Sequence, residues 1–457
     1  MDTSCEYESS SDIPGAWSQG LLKEEVVDRA LKRLYEGLIR AGYFDGNATE
    51  YSSLGWSDVN RPDAQALALQ SAVDGIVLLK NEKNTLPLRL KPSSKIAMIG
   101  FWADAPDKLS GGYSGTPYFE HSPAFAARRM GLDIKVASGP ILHGSSSPDN
   151  WTAPALEAAK DADYVLYFGG LDTSAAGETK DRMTINWPSA QLSLLDKLSK
   201  LGKPLVVVQM GDQVDNTPIL QNKGINSILW ANWPGQDGGE AVMQLISGAK
   251  SPAGRLPVTQ YPANYTELVP MTEMNLRPNK TDGSPGRTYR WYPTPVQPFG
   301  FGLHYTEFDT KLTLAKAKKF TTTELVKACK SHTSYIDTCP FRPLQVRVTN
   351  KGKKHTSDYV ALAFLSGDFG PEPRPIKTLA AYTRVRDLKP GQTAEAELQW
   401  TLGNLARHDE KGNTVLYPGK YTVTLDVEDK KPKASVSFTI TGEPVVLDEW
   451  PSPPSKA

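Results

Sequence analysis

Residues 164–210 read Y-V-L-Y-F-G-G-L-D-T-S-A-A-G-E-T-K-D-R-M-T-I-N-W-P-S-A-Q-L-S-L-L-D-K-L-S-K-L-G-K-P-L-V-V-V-Q-M, and this stretch decides the fold. Its two ends, 164–168 and 205–210, are apolar at consecutive positions, while 189–201 between them carries helical spacing. Strands apolar on both faces, bounded by Gly or Pro and separated by helices, indicate a mostly parallel sheet with helices on both faces. Outward from this unit the pattern continues, with apolar runs at 95–99, 134–137 and 225–230. Helices are predicted over 63–80, 154–160 and 239–246. Right-handed crossovers then bring the C-terminal ends of the strands to one edge, where ligands bind in open α/β sheets. A site is therefore expected among the segments 100–118, 169–182, 211–216 and 231–240.

Upstream, 24–41 has the spacing of an amphipathic helix, with Val26, Val27, Ala30, Leu31, Leu34, Leu38 and Ile39 on one face and Gly42 as its stop. No strand pattern precedes it, so it reads as the last piece of something larger. Downstream of Phe308 the period changes to two. The runs at 344–348, 360–365, 394–400 and 421–427 alternate apolar with polar and are separated by turns such as Pro390-Gly391 and Pro418-Gly419. That is the pattern of a small β-sandwich of the immunoglobulin or fibronectin type III kind. The Pro/Ser-rich tail after Trp450 has the composition of a disordered segment.

Lys+Arg and Asp+Glu number 51 each, so no basic excess points to nucleic acid or a membrane surface as a partner. No apolar run approaches the roughly 18 residues of a membrane helix, and a soluble chain is expected. The oligomeric state is left open. Residues 1–12 are acidic and polar, unlike a signal peptide. Sequons nevertheless stand at Asn47, Asn150, Asn264 and Asn279, weak support for secretion. Cys329 and Cys339, in a polar stretch, either close a short disulfide loop or are two separate thiols; the pairing fits an oxidising compartment. No Cys/His cluster has metal-site spacing, and no metal is expected.

The loop 169–182 concentrates Asp172, Glu178, Asp181 and Arg182 at the ligand-binding edge, flanked by glycines. A carboxylate there suits a general acid or base. The plainer alternative is an exposed surface loop with an Asp/Arg pair. The glycine-rich run 110–115 lacks the pattern of a phosphate loop, and neither a dinucleotide fingerprint nor a serine nucleophile elbow occurs.

Longer motifs weigh between these readings. G-Q-D-G-G-E-A-V-M-Q-L-I-S-G-A-K-S-P-A-G-R-L-P-V-T-Q-Y-P (235–262), P-G-R-T-Y-R-W-Y (285–292) and P-F-G-F-G-L-H-Y-T-E-F (298–308) together resemble glycoside hydrolase family 3. The phrases at 28–46 and 75–81 look like the same family's barrel end and interdomain segment. I-N-W-P-S-A-Q (185–191) and the Cys329/Cys339 pair look most like the fungal β-xylosidases. The resemblance implies a (β/α)8 barrel, an α/β sandwich and a fibronectin type III-like domain, with retaining chemistry and no cofactor. It implies that Glu178, three residues ahead of Asp181-Arg182, is the acid/base, with a pKa raised by burial and by a nearby nucleophile. Asp181, Arg182 and Tyr113 are expected to touch substrate, although the family's Asn-Tyr is here Gly112-Tyr113 and a common acidic position is here Ala176. The opening M-D-T-S-C looks like a phrase near the seventh or eighth barrel strand, downstream of the nucleophilic aspartate. The expected chain is therefore the C-terminal part of a secreted, exo-acting β-xylosidase for xylo-oligosaccharides, without the nucleophile. The expected divisions are a barrel remnant and linker at 1–60, the α/β sandwich at 61–262, a loop-rich linker at 263–307, the fibronectin type III-like domain at 308–445 and a tail at 446–457. A non-catalytic carbohydrate-binding descendant is the rival, and β-glucosidase or α-arabinofuranosidase specificity stays open.

Overall fold

The computed structural model describes residues 12–46, 49–141, 148–314, 319–330, 335–425 and 434–451, and it divides into two compact units, 1–66 and 67–457. The first unit holds α1 (Asp12–Ser18) and α2 (Glu24–Arg40), followed by short 3-10 turns. Glu24 and Glu25 in the first turn of α2 and Arg40 in its last suit the helix dipole. No residue of α2 is buried, and Leu31, Leu34 and Ile39 of its apolar stripe stand exposed.

Next in the chain comes α3 (Pro62–Gly75), and then the alternating series of the α/β domain. It runs β1 (Val77–Asn81), β2 (Lys95–Ile99), α4 (Pro123–Arg129), β3 (Asp133–Ala137), α5 (Thr152–Lys160), β4 (Tyr164–Leu171), α6 (Ser189–Ser199), β5 (Leu205–Gly211), α7 (Thr217–Gln221), β6 (Ser227–Asn232) and α8 (Gly238–Ser247). One six-stranded sheet has the order β1-β6-β5-β4-β2-β3. Its strands are parallel except β1, which pairs antiparallel with β6 from Val77 opposite Trp230 to Asn81 opposite Ser227. The helix predicted over 63–80 is corrected here. It stops at Gly75, and the apolar run that follows is a buried edge strand held by β6, a partner some 150 residues away that local periodicity cannot register.

Consecutive apolar residues serve two cores. Leu166, Phe168, Val206 and Val208 face one side with α4 and α8, whereas Val165, Tyr167, Leu205 and Val207 face the other with α5 and α6. Removing such a side chain to alanine typically costs about 2–5 kcal/mol.

The second architecture in this unit is all β: β7 (Phe308–Leu314), β8 (Lys319–Thr321), β9 (Leu344–Asn350), β10 (Ser357–Phe369), β11 (Thr378–Leu388), β12 (Thr393–Leu398), β13 (Arg407–His408), β14 (Thr414–Leu416), β15 (Gly419–Leu425), β16 (Ala434–Thr441) and β17 (Val445–Asp448). A five-stranded sheet, β11-β10-β15-β16-β8, and a three-stranded one, β12-β9-β7, enclose Val346, Val348, Tyr359, Tyr421 and Phe438, with a small sheet β13-β14-β17 beside them. Of the strand predicted over 421–427, residues 426 and 427 lie outside the described residues. The tail expected from 446 is corrected in part: 446–448 belong to β17, and Trp450 N–H donates to Asn413 Oδ1 at 2.9 Å. Residues 452–457 lie outside the described ones. Cys329 and Cys339 are joined as a disulfide with Cα atoms 5.8 Å apart. Between the α/β and all-β parts, Arg384 contacts Asp74 and Asp358 at 3.2 and 3.0 Å, and Arg386 contacts the same two carboxylates at 2.9 and 3.2 Å.

Candidate active site

The loop that follows β4 is fixed at its root. Gly170 (φ 127°) lies so close to β5 that a Cβ would stand 1.9 Å from the Met210 carbonyl oxygen, so no other residue fits. The Gln191 carboxamide, from the first turn of α6, accepts the Gly170 N–H at 2.9 Å and donates to the Gly170 carbonyl at 2.7 Å and to that of Ile141 at 2.8 Å. Next comes Asp172, which is buried. Its Oδ1 accepts from the Ser174 N–H at 3.1 Å and the Ser174 hydroxyl at 2.5 Å, and its carbonyl accepts from Ala175 and Ala176. This carboxylate is spent on shaping the loop.

Farther out the backbone reverses between Gly177 and Lys180, which exchange hydrogen bonds of 2.9 and 3.3 Å, with Thr179 in the left-handed region at φ 62°. Glu178 sits at the tip of this turn, exposed and without an ion pair or side-chain hydrogen bond among the described residues. Among the described residues nothing covers Glu178, so they do not supply the burial expected for it. Asp181 is likewise exposed. It makes no ion pair with Arg182, which turns the other way and donates from Nη1 to the Gln213 carbonyl at 2.9 Å, in the loop after β5. Arg182 and Gln213 help line a cavity of about 470 Å3 whose apolar wall is Tyr261, Tyr289 and Phe299. Burial pushes the Tyr261 phenol up, against the pull of the Thr288 N–H, which donates to its oxygen at 2.7 Å.

The loop after β2 meets this one: a Cβ on Gly112 would lie 3.7 Å from Thr173 Cγ2, and one on Gly111 would lie 3.1 Å from the Trp233 ring. Tyr113 itself is 88% exposed. Trp233, after β6, packs edge-on to Trp102 at 5.5 Å, and its Nε1–H donates to Asp212 Oδ1 at 3.2 Å. Loops from β2, β4, β5 and β6 thus converge, with Trp233 as the post between them. Sequence reasoning passed over Trp233 and Asp212, although both lie in segments expected to reach the edge, because neither belongs to a motif with recognisable spacing. The structure gathers Asp172, Glu178, Asp181 and Arg182 on one loop, but Asp172 is engaged by Ser174 and Arg182 by the Gln213 carbonyl, while Glu178 and Asp181 are exposed. Among the described residues no group of three or more His, Cys, Asp or Glu side chains is placed to hold a metal.

A mostly parallel sheet with loops gathered at its C-terminal edge, followed by a fibronectin type III-like sandwich, defines the C-terminal pair of domains of a class of glycoside hydrolases. Residues 76–305 match the model of the glycosyl hydrolase family 3 C-terminal domain, and residues 359–426 match the fibronectin type III-like domain. The chain belongs to glycoside hydrolase family 3. It is 47% identical over 443 residues to a probable exo-1,4-beta-xylosidase of Aspergillus fumigatus, covering 96% of this chain and 56% of the relative. With that of Aspergillus clavatus it shares 47% over 457 residues, covering 99% of this chain and 58% of the relative. Among solved structures, a GH3 exo-beta-xylosidase in complex with a xylobiose aziridine activity-based probe superimposes with a TM-score of 0.89 at 40% identity, covering 97% of this chain and 57% of that one. A beta-glucosidase of Listeria innocua, 22% identical with a TM-score of 0.75 and covering 94% of this chain and 57% of that one, shares the fold. The chain spans a little over half the length of these relatives.

Proposed function

We propose that this chain is the acid/base-bearing part of a retaining, exo-acting β-xylosidase that releases xylose from xylo-oligosaccharides. In such enzymes two carboxyl groups about 5–5.5 Å apart flank the bond; one attacks to form a glycosyl-enzyme while the other protonates the leaving oxygen and then activates water. Glu178 takes the second role. The nucleophile comes from the portion of these relatives that this chain does not span, and 1–60 is the end of their barrel. The observation that carries the reading is Glu178 itself: an exposed, unpartnered carboxylate on a turn at the ligand-binding edge, free to face another domain, in a chain with such relatives. Asp181, Arg182 and Tyr113 assist in holding the sugar. The rival, a non-catalytic carbohydrate-binding role, draws on the exposure of Glu178, Asp181 and Tyr113.

The remaining divisions follow the same reading: an α/β domain over 61–262, a linker over 263–307 and a fibronectin type III-like domain over 308–445. The disulfide suits secretion. Asn150 and Asn264, both exposed, suit glycan attachment, while Asn279 already donates from Nδ2 to Asp282 at 2.6 Å; Asn47 lies outside the described residues.

The test joins the chain to the N-terminal part of a relative. With activity restored, Glu178→Gln should lose about 10²–10⁴-fold on xylobiose, whose sugar alkoxide needs a proton. Loss in glycosylation should be far smaller with a dinitrophenyl xyloside, and azide should restore turnover as xylosyl azide. Equal slowing on both substrates with no azide effect would overturn the assignment. Binding of xylo-oligosaccharide by a fusion that never turns over would favour the rival.

A further inference from the structure

The opposite end of the sheet carries a second concave region. Because β1 runs against β6, the segment leaving β1 lies at the N-terminal edge of the parallel strands, away from the loops described above. There Asn81, Asn84 and residues 86–89 form one wall of a groove of about 1010 Å3, the connector 303–308 lies along it, and the turn 352–355 of the all-β domain forms the other wall. Arg89 belongs to the first wall; Lys353, Lys354 and His355 belong to the second. Glu307 is the one carboxylate among the described lining residues.

The charge here is out of keeping with the rest of the chain, in which acids and bases balance at 51 each. Elsewhere between these two domains cations are matched, as Arg384 and Arg386 are by Asp74 and Asp358. Arg89, Lys353 and Lys354 are exposed and make no ion pair among the described residues. Like charges lining a groove with low-dielectric walls focus the field and concentrate counter-ions. Beside them the half-buried Tyr305 and His355 rings meet edge-on at 5.8 Å with their planes inclined at 61°, so the cationic walls are bordered by aromatic surface. The Tyr305 hydroxyl is tied to the Leu245 carbonyl at 2.8 Å, which holds that ring in place.

We propose that this groove binds an anionic oligosaccharide, a xylan fragment carrying a uronic acid. Its carboxylate lies between Arg89 and the Lys353-Lys354 pair, and its sugar backbone runs along the connector. The charge argument stands on the groove alone; the choice of a xylan fragment rests on the glycosidase reading. Such a site holds acidic, branched substrate on the face remote from Glu178.

The test uses the intact chain, titrated calorimetrically in low salt with xylotriose bearing one glucuronic acid and with neutral xylotetraose. The acidic sugar should bind at least about tenfold more tightly, and 0.5 M NaCl should remove most of the difference. Lys353→Gln/Lys354→Gln should lose about tenfold for the acidic sugar alone, and Arg89→Gln, on the other wall, about threefold. Glu178→Gln should bind it unchanged, which separates this groove from the catalytic loop. Equal affinity for the neutral sugar, or unaltered binding by the charge-removed variants, would overturn the proposal. So would competition by free glucuronate or sulfate at equal concentration, which would mark a simple anion site. Equally tight binding of a short DNA duplex would mark a general polyanion surface and overturn it too. Failure of the fused enzyme to turn over would strike the glycosidase reading and leave these binding contrasts intact.

Discussion

Asp172 and Glu178 are carboxylates at the root and the tip of one loop, and the fold uses them in opposite ways. At the root, Asp172 is buried and accepts two hydrogen bonds from Ser174, so its charge is committed to the loop's own shape. At the tip, Glu178 is exposed on a two-residue turn with no partner among the described residues. The difference teaches that an acidic residue at a ligand-binding edge is available for chemistry only when the loop does not need it. The root buries its polar groups to gain rigidity, and that rigidity lets the tip leave a carboxylate free.

The comparison predicts a separation of activity from stability. The largest effect is the loss of about 10²–10⁴ in xylobiose turnover for Glu178→Gln in the fused enzyme, with stability unchanged within about 0.5 kcal/mol by urea denaturation. A stability loss above 2 kcal/mol would mean that the tip is structural after all. Next comes Gln191→Leu, which leaves the Gly170 N–H and carbonyl and the Ile141 carbonyl without their partner. It should destabilise the chain by about 3 kcal/mol, since each stranded buried group costs about 1–3 kcal/mol. An unchanged denaturation midpoint would show that the root is held by something else. Asp172→Ala should cost about 2 kcal/mol by the same measurement. In the fused enzyme it should slow xylobiose and the dinitrophenyl xyloside alike, because it acts through loop geometry. Smallest is Asp181→Asn, expected to lower kcat/KM less than about tenfold, with no dependence on leaving group and no azide rescue. A leaving-group dependence for Asp181→Asn would move the acid/base role three residues along the loop.

The fold was largely legible because consecutive apolar strands can arise only where both faces are covered, and the cores of Val165 with Tyr167 and Leu166 with Phe168 are that pattern realised. The reading failed where a distant partner decided the outcome. Val77 to Leu79 continue a helical rhythm, yet β6 claims them as an edge strand. It also passed over α4, a short helix announced by Ser122-Pro123, with the Ser122 hydroxyl accepting the Phe125 N–H at 3.0 Å. In the site, spacing ordered Glu178, Asp181 and Arg182 along the chain. It had no means of telling that Arg182 turns to the Gln213 carbonyl, because that acceptor belongs to a loop 31 residues later. Nor did it mark Asp172 as buried, since a D-x-S turn reads alike on a surface and in a core.

The seam between β4 and β5 sets where this chain can change. Gly170 abuts the Met210 carbonyl, and Gly211 (φ 70°) abuts that of Leu171, where a Cβ would stand 1.5 Å away. On each of two neighbouring strands a glycine is therefore pressed against the other strand's backbone, directly beneath the loops that carry Glu178 and Asp212. At Gly170 and Gly211 the close approach leaves no room for any side chain. Variation at this edge must be written into the loops above it, whose starting point stays fixed while their sequences diverge.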